Sequence, residues 1–161
     1  MTAAEWAEKI RAARDSLIGI PYSKLDCQAF VEYCWKHYAG IVKDYRGSND
    51  MWRNAVNSQS DDFSTIEGGE LVFTIKHDGK EPARYTDGVN AAHVGIYIGN
   101  DEVIHSTTGG VQMDTITNKR WTHHAKCNCL TYGKADDDAD VYKQYCLNMY
   151  SMLKEMFEGS N

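Results

Sequence analysis

The chain has 161 residues, 42% of them hydrophobic, with 17 Lys and Arg against 23 Asp and Glu for a net charge of -6. That length and apolar content fit one domain with its own core. The acidic balance argues against a nucleic-acid binder and gives no attraction to an anionic cell surface. No run of ~18 apolar residues is present, so no transmembrane segment is expected. The N-terminus, Met1 to Ile10, mixes charged and apolar residues and lacks an apolar signal core. The expectation is synthesis in the cytosol, or export by a route that the sequence does not show. The cysteine count is odd: Cys27, Cys34, Cys127, Cys129 and Cys146. A cytosolic origin implies that all five start reduced, which suits a thiol enzyme better than a disulfide scaffold.

Trp6, Ile10, Ala13 and Leu17 lie on one stripe, which predicts an amphipathic helix over residues 3–18. Gly19-Ile20-Pro21-Tyr22 breaks it. A second helix is predicted from about Asp26 to Tyr38, stopping near Gly40, with Cys27, Phe30, Val31, Cys34 and Tyr38 on its buried face. Asp26 is its N-cap. Cys27 then sits in the first turn, at the positive end of the helix dipole. That position lowers a thiol pKa from ~8.5 toward roughly 3.5–7.5 when a histidine is near. The plainer reading of Cys27 is a small buried hydrophobe. Gly47-Ser48-Asn49-Asp50 caps a third helix through about Val56. Residues 57–69 read as a loop, Leu71 to Ile75 as a buried strand, and 76–91 as a long connection of the kind that often carries function.

Residues 92–106 alternate with period two around Gly99-Asn100-Asp101, the signature of a β-hairpin. A three-residue turn pairs Gly95 with His105 and puts His93 and His105 on one face as diagonal neighbours. A two-residue turn would send them to opposite faces. The apolar set Val94, Ile96, Ile98 and Ile104 selects the former. Gly95 then leaves space beside the two imidazoles, where a helix terminus can approach. Val111 to Met113 and roughly Cys127 to Tyr132 read as further strands. Asp136 to Asp140 open a last helix whose face carries Val141, Tyr145, Met149, Met152 and Met156. The predicted division is 1–135 for the domain and 136–161 for a C-terminal helix packed on it.

A cysteine at a helix start, a histidine on a strand and a second polar ring on the next strand fit a thiol acyl-transfer site. The thiolate attacks, one imidazole moves the proton, and a third group fixes its tautomer. Three blocks carry a more specific likeness: Asp26-Cys27-Gln28-Ala29-Phe30-Val31; Gly69-Glu70-Leu71-Val72-Phe73; and His93-Val94-Gly95-Ile96-Tyr97-Ile98-Gly99 with Val103-Ile104-His105-Ser106. In order and spacing they resemble the NlpC and p-sixty family, papain-like cysteine peptidases of bacterial cell-wall stem peptides, over about residues 15–132. The resemblance implies an α+β fold with helices packed on a central antiparallel sheet. It implies Cys27 as nucleophile, His93 as general base and acid, and His105 as the orienting residue. It also implies Tyr22, Asp26 and Gln28 at the substrate.

Gln28-Ala29 stands where the family has Ser-Gly. The Pro21–Asp26 segment is short, and the 76–91 loop directly precedes His93. These departures concern substrate recognition more than the catalytic trio. The implied reaction is hydrolysis of a γ-D-glutamyl to diamino-acid bond through a Cys27 thioester, with a peptidoglycan stem peptide as partner and no cofactor. Such a unit suits a bacteriophage lysin, a tail-associated hydrolase or a secreted bacterial enzyme acting at the wall. The alternatives are an N-acetylmuramoyl-L-alanine amidase of the Cys-His type and a non-catalytic phage-tail binding module. His123, His124, Cys127 and Cys129 are candidate zinc ligands of irregular spacing, and the simpler reading is that no metal is held there. Trp52, Trp121 and Tyr132 either line a groove or belong to the core.

Overall fold

The computed structural model describes residues 1–133 and 135–158, with side-chain surroundings for 1–133 and 145–157. The first helix, α1 (Ala3–Leu17), starts at Thr2, whose hydroxyl accepts from the Glu5 N–H, and buries Trp6, Ala7, Ile10 and Leu17. α2 (Cys27–Ala39) starts at Asp26, whose carboxylate accepts from the Ala29 N–H at 2.8 Å, and ends at Gly40 in the left-handed region. Trp6 ties α1 to α2 by donating its indole N–H to the Cys34 carbonyl at 2.9 Å. α3 (Ser48–Asn54) is followed by β1 (Val56–Ser60) and a 3-10 turn at Phe63–Thr65.

The remaining strands are β2 (Leu71–Lys76), β3 (Asn90–Tyr97), β4 (Glu102–Thr107), β5 (Gly110–Thr115) and β6 (His123–Cys127). They form one six-stranded sheet, ordered β1-β6-β2-β3-β4-β5, with antiparallel pairs throughout. One face carries Leu71, Phe73, Val94, Ile96 and Ile104 into the main core with the helices. On the other face Val72, Tyr97, Val103 and Trp121 form a smaller cluster. The last helix is α4 (Ala135–Glu158). No helix among the described residues is long and apolar enough to cross a membrane.

The β3–β4 hairpin has the expected register: Ile96 faces Ile104, Tyr97 faces Val103, and Gly99, Asn100 and Asp101 make the turn with positive φ. Arg11 of α1 holds that turn, donating to the Ile98 and Gly99 carbonyls and pairing with Glu102. Two expectations differ from the structure. Residues 57–60, read as part of a loop, join Val56, read as the end of the third helix, in edge strand β1. Only Val56 is buried there, so period-two apolarity is absent. The strand expected near Cys127–Tyr132 lies earlier, at His123–Cys127. It was hidden because His124 is a buried strand residue whose partners, the Glu70 carboxylate and the Asp62 carbonyl, are distant in sequence. On α4, Tyr145, Met149, Met152 and Met156 are exposed. Val141 lies outside the described side chains.

Gly95 lies where a side chain would press on three groups beside the imidazoles. A Cβ there would meet the His105 Cβ, a Trp121 ring carbon and a Val103 methyl, each at 3.0 Å. The space beside the imidazoles therefore holds the Trp121 indole, not a helix terminus. Gly95→Ala is expected to cost about 1–3 kcal/mol, because three packed groups must shift together. Urea denaturation followed by tryptophan fluorescence reads that loss, and a wild-type midpoint would refute the packing account.

Candidate active site

Three segments converge on the end of β3. Ser48 and Asn49, expected as helix caps, spend their side chains elsewhere. The Ser48 hydroxyl donates to the Ala91 carbonyl at 2.6 Å, and the Asn49 amide oxygen accepts from the Ala91 N–H at 2.8 Å. Gly47 takes the N-cap position without a side-chain bond. The register of β2 on β3 shifts between Thr74 opposite His93 and Ile75 opposite Ala91, a bulge at the residue before His93. The 76–91 connection is fastened to α3 by Arg53, which bonds the Asp87 carboxylate and the Val89 carbonyl.

The start of α2 enters where the β3–β4 ladder ends. The Ser106 hydroxyl of β4 donates to the Leu25 carbonyl. The Cys27 sulfur faces the backbone N–H of Val94, next to His93. Cys27 is 8% exposed. Burial pushes its thiol up, and the Asp26 charge adds to the rise. The N–H groups of Val94, Gln28 and Cys27 itself pull the other way. The thiol expected to be lowered by the helix dipole is therefore raised, because desolvation outweighs the helix start.

His93 Nε2 and His105 Nδ1 are 2.8 Å apart. The His93 ring lies nearly parallel to Trp121, with centroids 5.6 Å apart, and His105 meets the same indole edge-on at 5.0 Å. Both imidazoles are held down to about 4. Burial is the main cause for each. Arg120 adds for His93, His93 and Arg120 add for His105, and Asp114 opposes both shifts. Neutral in the native state, the rings ionise near 6.5 when unfolded. The unfolded chain thus binds more protons between pH 6.5 and 4, and stability falls as pH drops through that window. The urea midpoint is expected to decrease from pH 7.5 to 5, with a smaller decrease in the His93→Gln/His105→Gln protein. Equal decreases in both proteins would overturn this account.

The sequence-derived site residues are only partly gathered. Tyr22, His93, Gln112 and Arg120 line one open cavity of about 490 Å³. Lys76, His93, Lys119 and Arg120 line another of about 480 Å³. His93 and Arg120 thus stand between two hollows. Tyr22 is close enough to Cys27 and Asp26 for their charges to raise its hydroxyl, though burial is the larger cause. Asp26 is engaged as the α2 cap. Gln28 bonds the Glu32 carboxylate and lines neither cavity. Trp121, Arg120 and Asp114 join the site without having been assigned to it from sequence. Trp121 was legible only as a groove-or-core aromatic.

Among the described residues no three of the candidate zinc ligands come together, although the Cys127 and Cys129 side chains meet. His124 has Nδ1 on Glu70 and Nε2 on the Asp62 carbonyl, both at 2.7 Å. His123 Nδ1 meets the Thr122 hydroxyl at 2.9 Å, and the Cys127 thiol faces the Gly69 carbonyl at 3.8 Å.

The sequence profile of the NlpC/P60 family matches residues 15–129. The chain belongs to the NlpC/P60 family. It is 26% identical over 120 residues to the "Probable peptidoglycan endopeptidase LytE" of Bacillus subtilis, covering 70% of this chain and 31% of that protein. This NlpC/P60 chain therefore spans about a third of that relative's length. Among solved structures, the P60 domain of an antigen from M. avium subspecies paratuberculosis superposes with a TM-score of 0.57. It is 18% identical and covers 81% of this chain and 98% of that one. The NlpC/p60 domain of the peptidoglycan hydrolase SagA superposes with a TM-score of 0.53 at 20% identity, over 78% and 99%. An NlpC/P60 family protein from Bacillus cereus gives 0.55 at 24% identity, over 74% and 39%. These likenesses establish the papain-like α+β fold.

Proposed function

We propose that the protein is a cysteine peptidase that hydrolyses an amide bond in peptidoglycan stem peptides, the γ-D-glutamyl to diamino-acid bond, through a Cys27 thioester. The observation that carries this reading is the 2.8 Å contact of His93 Nε2 with His105 Nδ1 beside the buried helix start bearing Cys27. Family membership supports the reaction class. The choice of bond rests on the resemblance.

In this mechanism His93 takes the Cys27 proton as the sulfur attacks the carbonyl carbon. The raised thiol and the lowered imidazole make the resting pair neutral, so the ion pair forms only as bond formation stabilises the departing charge. Backbone N–H groups of Cys27 and Gln28 face the sulfur and serve the developing oxyanion. The tetrahedral intermediate collapses as His93 gives its proton to the leaving amine. A water, deprotonated by His93, then opens the thioester, releasing a carboxylic acid and the thiol.

Tyr22, Asp26 and Gln28 are assigned to the substrate. Tyr22 has the best-placed side chain, in the cavity it shares with His93. Digestion of purified peptidoglycan, with fragments read by mass spectrometry, tests the proposal. New amine and carboxyl termini within the stem support it. A new terminus between muramic acid and L-alanine would assign the amidase instead. No fragments from several wall types would favour the binding module.

A further inference from the structure

The buried His105 ring has one unanswered atom. Its Nδ1 meets His93, but its Nε2 has no hydrogen-bond partner among the described residues and the residue is fully buried. A polar atom buried in this way needs a specific explanation. Asp114 faces it, with Oδ2 3.8 Å from Nε2. Register accounts for the placement: His105 lies opposite Gln112, so Asp114, two residues on, is its diagonal neighbour on the same face.

The carboxylate is itself held. Oδ1 accepts from the Thr115 N–H at 2.8 Å, the Asn118 amide donates to both oxygens at 3.2 and 3.1 Å, and Arg120 Nε stands 3.7 Å from Oδ2. The Asn118 contact leaves Oδ2 with further acceptor capacity toward His105.

Proton counting gives this carboxylate a task. For His93 to accept from Cys27, its Nδ1 must be bare, because its Nε2 is engaged with His105. A neutral imidazole with a bare Nδ1 carries its hydrogen on Nε2. His93 Nε2–H then donates to His105 Nδ1, and neutral His105 carries its own hydrogen on Nε2, toward Asp114. The opposite arrangement turns a lone pair of His105 toward the carboxylate. It also leaves His93 with its hydrogen on Nδ1, unable to accept from the thiol.

We infer that Asp114 is a positioning residue that sets the tautomer of His105, and through it the tautomer of His93. The consequence for Cys27 rests on the cysteine-peptidase reading; the tautomer of His105 does not. Asp114 also favours the imidazolium formed when His93 takes the proton, whereas Arg120 disfavours it.

Asp114→Ala removes the acceptor. Asp114→Asn keeps its size and serves if the alanine protein does not fold. Two readouts need no wall substrate: the His105 tautomer by long-range proton–nitrogen NMR, and alkylation of Cys27 by iodoacetamide followed by peptide mass spectrometry. Wild-type His105 is expected as the Nε2–H form. The variants should show a tautomer mixture and a Cys27 rate lower by about tenfold, a fraction of what a general base contributes. Alkylation of exposed Cys146 should not change. An unchanged tautomer and unchanged Cys27 rate in a folded variant would overturn the inference. If wild-type Cys27 reacts no faster than Cys27 in His93→Ala, the thiol-enzyme reading fails instead, and the tautomer result still decides the role of Asp114.

Discussion

Cys27→Ala is expected to fold like the wild type and to release stem-peptide fragments at least about 10⁴-fold more slowly, the scale of losing a nucleophile from a catalytic set. The two halves of that expectation have separate physical origins. Folding tolerates the change because the contacts that start α2 do not use the sulfur. Asp26 caps through the Ala29 N–H, and the Leu25 carbonyl is held by Ser106. Alanine is the best helix former, and exchanging one small buried group for another costs about 1 kcal/mol or less. Under the proposed mechanism the chemistry cannot tolerate it, because the attacking sulfur is lost and neither of the two other buried thiols takes its place. Cys34 is buried within the same helix, and Cys127 faces the Gly69 carbonyl. The checks are the thermal midpoint and the mass-spectrometric digest on the same preparation. A folded Cys27→Ala protein that digests peptidoglycan as fast as wild type would sink the mechanism.

The parts of the fold that were legible in the sequence are those governed by local periodicity. The stripe through Trp6 and Ile10 gave α1, Asp26 and Gly40 bracket α2, and the odd-even pattern from Val94 to Ile104 set the hairpin register. That register brings the two imidazoles together. The parts that were not legible depend on partners distant in the chain. Ser48 and Asn49 look like cap residues, but their side chains hold Ala91, more than forty residues away. Gly95 announces a close approach without naming the Trp121 indole that makes it. Asp114 is an ordinary strand carboxylate until the β4–β5 register sets it diagonal to His105. The thiol direction was missed for a related reason. A helix start is visible in sequence, while the burial that outweighs it exists only after α2 docks against β3.

Replacing His93 is expected to cost more activity than replacing His105. His93→Ala should lower kcat by about 10³–10⁴-fold, since both the proton acceptor and the donor to the leaving amine are lost. His105→Gln should lower it by roughly 10–10²-fold, the smaller loss expected when an orienting contact fails and proton transfer survives. The geometry explains the gap. His93 keeps a second constraint when His105 is replaced, because its ring still lies against Trp121. A glutamine at 105 can still accept from His93 Nε2–H, which preserves the tautomer. Alanine at 105 is the poorer test. It empties a fully buried site and costs stability, on the order of 2–4 kcal/mol, for reasons unrelated to catalysis. Measured well below each thermal midpoint with saturating wall fragments, the ranking isolates proton transfer from folding. If His105→Gln were the more damaging change, the roles would be exchanged, and His105 would be the residue that moves the proton.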